Sequence, residues 1–260
     1  MRGPIFAFLA ATAFAGAGAA GAPLHAQTTS APADMRMTAA RDLAQLVNAT
    51  NRVEEQLDAL LRNMARQAFA TDPSLMALGQ EYPGADRVFV ESIRPIMAEE
   101  LTRTLPAYNE ATAGFFASNF TLAEIGELFT FWSSPAGQAL VSSVSGAADY
   151  NSMTKEIVDQ ISTPGTDFTI SQDAITKDKQ DAAVAGLDRL SASHRAAVIR
   201  FGLTPTGRKM ARLSSQRNEI DRQWANREPS AEAMARMEKE IPEALLAFMA
   251  AEDRKRAAAK

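Results

Sequence analysis

Apolar residues recur at spacings of three and four along most of this chain. Val53, Leu57, Leu60, Leu61, Met64 and Ala68 form one such stripe, the signature of a helix that buries one side. Thr50 or Asn51 is placed to cap it, with Glu54 in its first turn. Asp72 to Gly84 contains two prolines and two glycines and reads as a loop. Phe89, Ile93, Ile96, Met97, Leu101 and Leu105 make the next stripe. Pro95 and Pro106 fall within it, and each predicts a kink or break, because proline lacks a backbone donor and its ring crowds the preceding turn.

Thr121 to Trp132 predicts a short helix. It opens on Thr121 and Glu124, the spacing of a capping box, in which two side chains satisfy two orphan backbone N–H groups. Ile125, Leu128, Phe129 and Trp132 make its expected buried face. Ser134-Pro135 restarts a helix, since serine caps well and proline at the first helical position loses no hydrogen bond. Leu140, Val144, Ala147, Ile157, Val158 and Ile161 carry this helix to about Ser162, and Thr163-Pro164-Gly165 ends it. Alternating Val/Ile-rich runs are missing, so no sheet is expected.

A shift of 70 residues superimposes two segments. Phe131 falls on Phe201, Pro135 on Pro205 and Gly137 on Gly207, while Ser134 meets Thr204 and Thr121 meets Ser191. The shared pattern is a cap, a short amphipathic helix, an aromatic, Ser/Thr-Pro-x-Gly and a longer helix. A glycine in the first turn of a helix carries a propensity penalty, so a packing reason is expected. Without a side chain, Gly137 or Gly207 lets the preceding helix rest on bare backbone.

The expected fold is therefore all-α: a multi-helix bundle of about eight to ten helices built from two related helical halves. Residues 1–26 have the layout of a secretory signal peptide, with Arg2, an apolar middle and cleavage after Ala26. Residues 27–34 read as a flexible lead, 35–165 as the N-terminal half and 166–260 as a diverged C-terminal half. No later stretch has the roughly 20 apolar residues of a membrane span. The chain lacks cysteine, so a disulfide cannot hold an exported form together and its core must do so alone. The expected location is periplasmic or secreted.

The residues from Phe120 to Leu140, FTLAEIGELFTFWSSPAGQAL, resemble the signature of a bacterial exported family catalogued as domain of unknown function 2059. That signature is a Phe-Thr-x-x-Glu opening followed by Phe-Tyr-x-Ser-Pro-x-Gly. The likeness covers roughly Arg103 to Ser162, with Trp132 where tyrosine is usual. The second segment, with Gly202 in place of that aromatic, is a diverged copy. The resemblance implies an exported helical protein and no particular activity.

Chemistry is sparse. His194 is the one histidine after the leader, and it falls on the position of Glu124 in the repeat, so nucleophilic triads and a structural zinc site lack their residues. There is no phosphate-binding glycine loop or dinucleotide fingerprint. Sequence alone thus assigns no catalytic, cofactor-binding or metal-binding residue, and no cofactor. Glu99-Glu100 and the pair Glu124 and Glu127 are the carboxylates that an envelope hydrolase could use as acid and base. Arg208, Lys209, Arg212, Arg217, Arg222 and Arg227, with Trp224, form a basic stripe that could meet an anionic membrane surface. The charge balance agrees with that asymmetry: residues 27–165 carry 9 Lys and Arg against 17 Asp and Glu, and residues 166–260 carry 17 against 14. Met234, Met237, Ile241, Leu245, Phe248 and Met249 form a methionine-rich face split by Pro242. The leading expectation is a non-catalytic module for an envelope protein, a peptide or an apolar ligand, with no role in nucleic-acid binding.

Overall fold

A computed structural model describes residues 30–48, 50–161 and 169–259. Twelve helices and no strand make up these described residues. They are α1 (Ser30–Val47), α2 (Thr50–Thr71), α3 (Pro73–Glu81), α4 (Ala85–Asn119), α5 (Leu122–Ser133), α6 (Pro135–Ser145), α7 (Asn151–Ile161), α8 (Gln172–Arg189), α9 (Ala192–Gly202), α10 (Pro205–Arg212), α11 (Ser214–Ala225) and α12 (Ala231–Ala258). The expected leader at 1–26 and the break at Thr163-Pro164-Gly165 lie outside the described residues.

The helix count exceeds the expected eight to ten for identifiable local reasons. Asp72 to Gly84 is mostly helix rather than loop: the Asp72 carboxylate accepts from the N–H groups of Ser74 (2.8 Å) and Leu75 (2.9 Å), and Pro73 occupies the first helical position. The helix expected from Ser134 to Ser162 is two, because the chain turns at 146–150 and Tyr150 takes a positive φ of 53° there. The Asp178 carboxylate then caps α7 from a distance in sequence, accepting from the N–H groups of Ser152 and Met153 at 2.9 Å each. The expected flexible lead is also too long, since α1 starts at Ser30.

α4 runs through Pro95 and Pro106 without ending. Both prolines are exposed, so each ring sits on the solvent side and only one ladder bond per proline is lost. Its 35 residues make a rod of about 52 Å, and two apolar cores are arranged along it. One gathers Leu57, Leu60, Leu61 and Met64 of α2 with Ile93, Ile96, Met97 and Leu101 of α4, Ile157 of α7, Ile175 of α8, Trp224 of α11 and Met237 of α12. The other gathers Leu43 of α1, Phe115 and Phe116 of α4, Ile125, Leu128 and Trp132 of α5, Val144 of α6, Ala182 of α8 and Met210 of α10. Each core draws on residues from both sides of the boundary expected near 165.

The two Ser/Thr-Pro-x-Gly corners have the same geometry. Ser134 Oγ donates to the Phe131 carbonyl (2.6 Å) and accepts from Gly137 N–H (3.2 Å). Thr204 Oγ1 donates to the Phe201 carbonyl (2.7 Å) and accepts from Gly207 N–H (3.0 Å). A methyl on Gly137 would overlap the Phe131 carbonyl oxygen and approach Trp132 Cα to 2.9 Å. On Gly207 it would overlap the Phe201 carbonyl and approach Gly202 Cα to 3.0 Å. The two corner aromatics meet: Phe131 and Phe201 stack at 3.9 Å between centroids and 5° between planes. Phe129, expected inside, is 40% exposed, and Phe131 makes the inward contact in its place.

Candidate functional site

The α5 carboxylates are used across the corner. Glu124 completes the capping box with Thr121, and Lys209 of α10 binds the same carboxylate at 2.8 Å. Burial works against its ionisation, but hydrogen bonds from Lys209 and the Thr121 N–H outweigh it and hold the carboxyl below its ordinary range. Glu127 accepts from the Thr206 hydroxyl at 2.5 Å. Glu99 pairs with Arg236 of α12, and Glu100 accepts from Ser230 N–H (3.2 Å), the Ser230 hydroxyl (2.9 Å) and Arg103. Each of the four carboxylates therefore holds a helix junction together, and no two of them face one another in the cleft described below.

Glu100 makes the stability depend on acid. Its side chain is buried, and this opposes ionisation, yet the bonds from Arg103 and Ser230 prevail and its folded pKa is depressed. A depressed folded value means a contribution that is present above the unfolded carboxylate pKa and lost as pH falls through the folded one. Glu100→Gln is expected to lower stability by about 2 kcal/mol at neutral pH and to flatten the acid limb of the pH profile. Urea unfolding at a series of pH values checks this, and an acid limb identical to that of the parent would refute it.

The basic stripe does not form one exposed face. Arg217 and Trp224 are buried, Arg222 pairs with Glu219 at 2.6 Å, and Arg227 lies 5.5 Å over the Trp224 ring. Only Arg208 and Arg212 of the group are exposed. Met237 is buried in the first core with Met234 and Ile241 against it, so much of the methionine-rich face is interior. His194 is half-buried at the third position of α9, where its N–H is capped by Ser191 at 3.3 Å. Among the described residues, no three His, Cys, Asp or Glu side chains are grouped to hold a metal ion.

Two features escape a reading of the sequence. The first is a buried polar knot between the cores. Asp221 accepts from the Tyr108 hydroxyl (2.6 Å) and pairs with both Lys179 and Arg217. Lys179 also donates to Asn218 (2.8 Å), and Arg217 to Tyr108 and Asn48. Burial lowers the Lys179 pKa despite the neighbouring carboxylate, and burial also pushes Tyr108 well above its usual value. The knot is sealed from solvent and offers nothing to a ligand.

The second feature is open. A cleft of about 630 Å³ lies between α2 and the first half of α4, with Ala148 and Asp149 of the turn after α6 completing its wall. α2 contributes Asp58, Ala59, Arg62, Asn63, Ala65 and Arg66, and α4 contributes Asp86, Arg87, Val90, Glu91 and Arg94. Asn63 is buried beneath it and bonded to Asn151 (3.1 Å) and Thr154 (3.0 Å), which fixes the floor. Arg94 crosses to Asp58 at 2.7 Å, and Arg87 lies 3.7 Å from Glu91 on its own helix. Arg62 and Arg66 are exposed and one turn apart on α2. Among the described residues neither has a carboxylate within ion-pair distance; the Arg66 guanidinium donates only to the Asn63 side chain. The volume falls within the range of small-molecule sites.

Compared with family models, characterised proteins and solved structures, the chain matches none.

Proposed function

We propose that this chain is a non-catalytic binding module of the bacterial envelope, and that its ligand sits in the cleft between α2 and α4. The supporting observation is the pair Arg62 and Arg66, two guanidiniums one turn apart at the edge of a concave site, which among the described residues have no carboxylate within ion-pair distance. Two arginines one turn apart can grip a single carboxylate or phosphate through several N–H donors, which is a strong form of recognition. The export-type pattern of residues 1–26 agrees with an envelope role and supplies no reaction. Binding is the reading with a site; hydrolysis by Glu99, Glu100, Glu124 or Glu127 would need carboxylates that already secure helix junctions.

Isothermal titration of the mature chain with trialanine, succinate and inorganic phosphate tests the proposal. The double variant Arg62→Ala/Arg66→Ala is expected to lose at least about tenfold in affinity for whichever probe binds. Both side chains are exposed, so its thermal midpoint should stay near that of the parent. Equal affinity in parent and double variant would place the ligand elsewhere.

A further inference from the structure

We infer that the ligand of this cleft is a zwitterion, a short peptide with free amino and carboxyl ends. The inference rests on the cleft being the binding site. It follows from the charges that remain once the lining has paired within itself. Four arginines and four carboxylates line the cleft: Arg62, Arg66, Arg87 and Arg94 with Asp58, Asp86, Glu91 and Asp149. Arg94 closes on Asp58 and Arg87 on Glu91. On one side this leaves the two cations Arg62 and Arg66. On the other it leaves two anions, Asp86 and Asp149, which among the described residues have no cation within ion-pair distance; Lys177, whose charge Asp149 also feels, is already paired with Asp181 at 2.7 Å.

Asp86 stands in the first turn of α4, where the helix dipole favours a carboxylate. Asp149 accepts from the Asn151 N–H at 3.3 Å and from the Asn151 side-chain amide. A ligand with negative charge alone would satisfy Arg62 and Arg66 but face Asp86 and Asp149. A purely cationic ligand would meet the reverse conflict. A molecule with one carboxylate and one ammonium suits both sets, whereas a ligand of a single sign meets like charge from one of them. The uncharged part of the lining is mostly small and apolar, with Ala59, Ala65, Ala148 and Val90 beside Asn63, which suits short aliphatic side chains. A tripeptide extends to about 10 Å, which a cleft of about 630 Å³ can hold.

The experiment compares trialanine with N-acetyl-trialanine, trialanine amide, succinate and phosphate by isothermal titration, using the mature full chain. Blocking either end should weaken binding at least about tenfold. Asp86→Asn should weaken free trialanine while leaving N-acetyl-trialanine unchanged, since the acetylated end has no charge for Asp86 to read. Binding of N-acetyl-trialanine as tightly as trialanine overturns the zwitterion inference. So does binding of succinate or phosphate without trialanine; in both cases the cleft stands if Arg62→Ala/Arg66→Ala abolishes what is seen. Binding of none of the five probes, or binding indifferent to the double variant, overturns the cleft itself.

Discussion

Asp221→Ala is expected to remove most of the stability of the fold, by about 4 kcal/mol or more, against a total of roughly 5–15 kcal/mol for an ordinary domain. Asp221 is 3% exposed and is the single carboxylate that Lys179 and Arg217 share, themselves 5% and 3% exposed. Its removal strands two cations in the interior and leaves the Tyr108 hydroxyl without its acceptor. Breaking a buried pair by deleting one partner is far more damaging than replacing the pair, because the remaining charge has lost both water and counter-ion. The complementary variant separates this from a simple packing defect. Lys179→Met removes the surplus positive charge and keeps the Arg217–Asp221 pair, so it is expected to cost far less than Asp221→Ala, about 1–3 kcal/mol for the Asn218 oxygen it leaves without a donor. Urea unfolding followed by circular dichroism reads both. Similar losses in the two variants would contradict the charge argument.

Gly137→Ala is expected to destabilise by about 3 kcal/mol, near the upper end for overpacking a tight contact. What the new methyl meets is main chain: the Phe131 carbonyl oxygen and Trp132 Cα. Neither can rotate away, so the end of α5 must shift relative to α6, and the Phe131–Phe201 stack shifts with it. The sign is informative, because alanine is the better helix former by about 1 kcal/mol and would stabilise a glycine site that had room. Gly126, exposed in the middle of α5 with nothing within 4 Å of an added Cβ, is that site. Gly126→Ala should raise the thermal midpoint while Gly137→Ala lowers it. A rise in both would refute the close-approach account of the corner.

Local chemistry was legible in the amino-acid order, and distant pairing was not. The capping box at Thr121 and Glu124 and the Ser134-Pro135 and Thr204-Pro205 caps involve residues within three or four positions, so their spacing identifies them. The stripes on α2 and α4 likewise read correctly, since one-sided burial imposes its period on the sequence. Misreadings came where one residue overrode a pattern. Asp72 turned an apparent loop into α3, and the turn at 146–150 divided an apparent single helix. Pro95 and Pro106 do not break α4, and both face solvent.

The cleft and the knot were invisible for a different reason. Arg62 and Arg66 look like any charges on the outer side of an amphipathic helix. Only the approach of α4 and the 146–150 turn gives them a wall to face. Lys179, in a helix full of charges, carries no mark of burial. Its partner Asp221 lies 42 residues away, and Tyr108 is 113 residues from that carboxylate.

The long rod of α4 gives these sites a common mechanical frame. Its first half is a wall of the cleft, its middle carries Tyr108 into the knot, and its last turns lie under the corner through Phe115 and Phe116. A helix holds its length and twist far better than a chain of loops, so the three places keep a fixed spacing. α4 is one continuous strut through both prolines, so all three places hang on a single element. Opening either core would leave half of that strut bare to water, which ties the fate of the cleft to packing some tens of ångströms away.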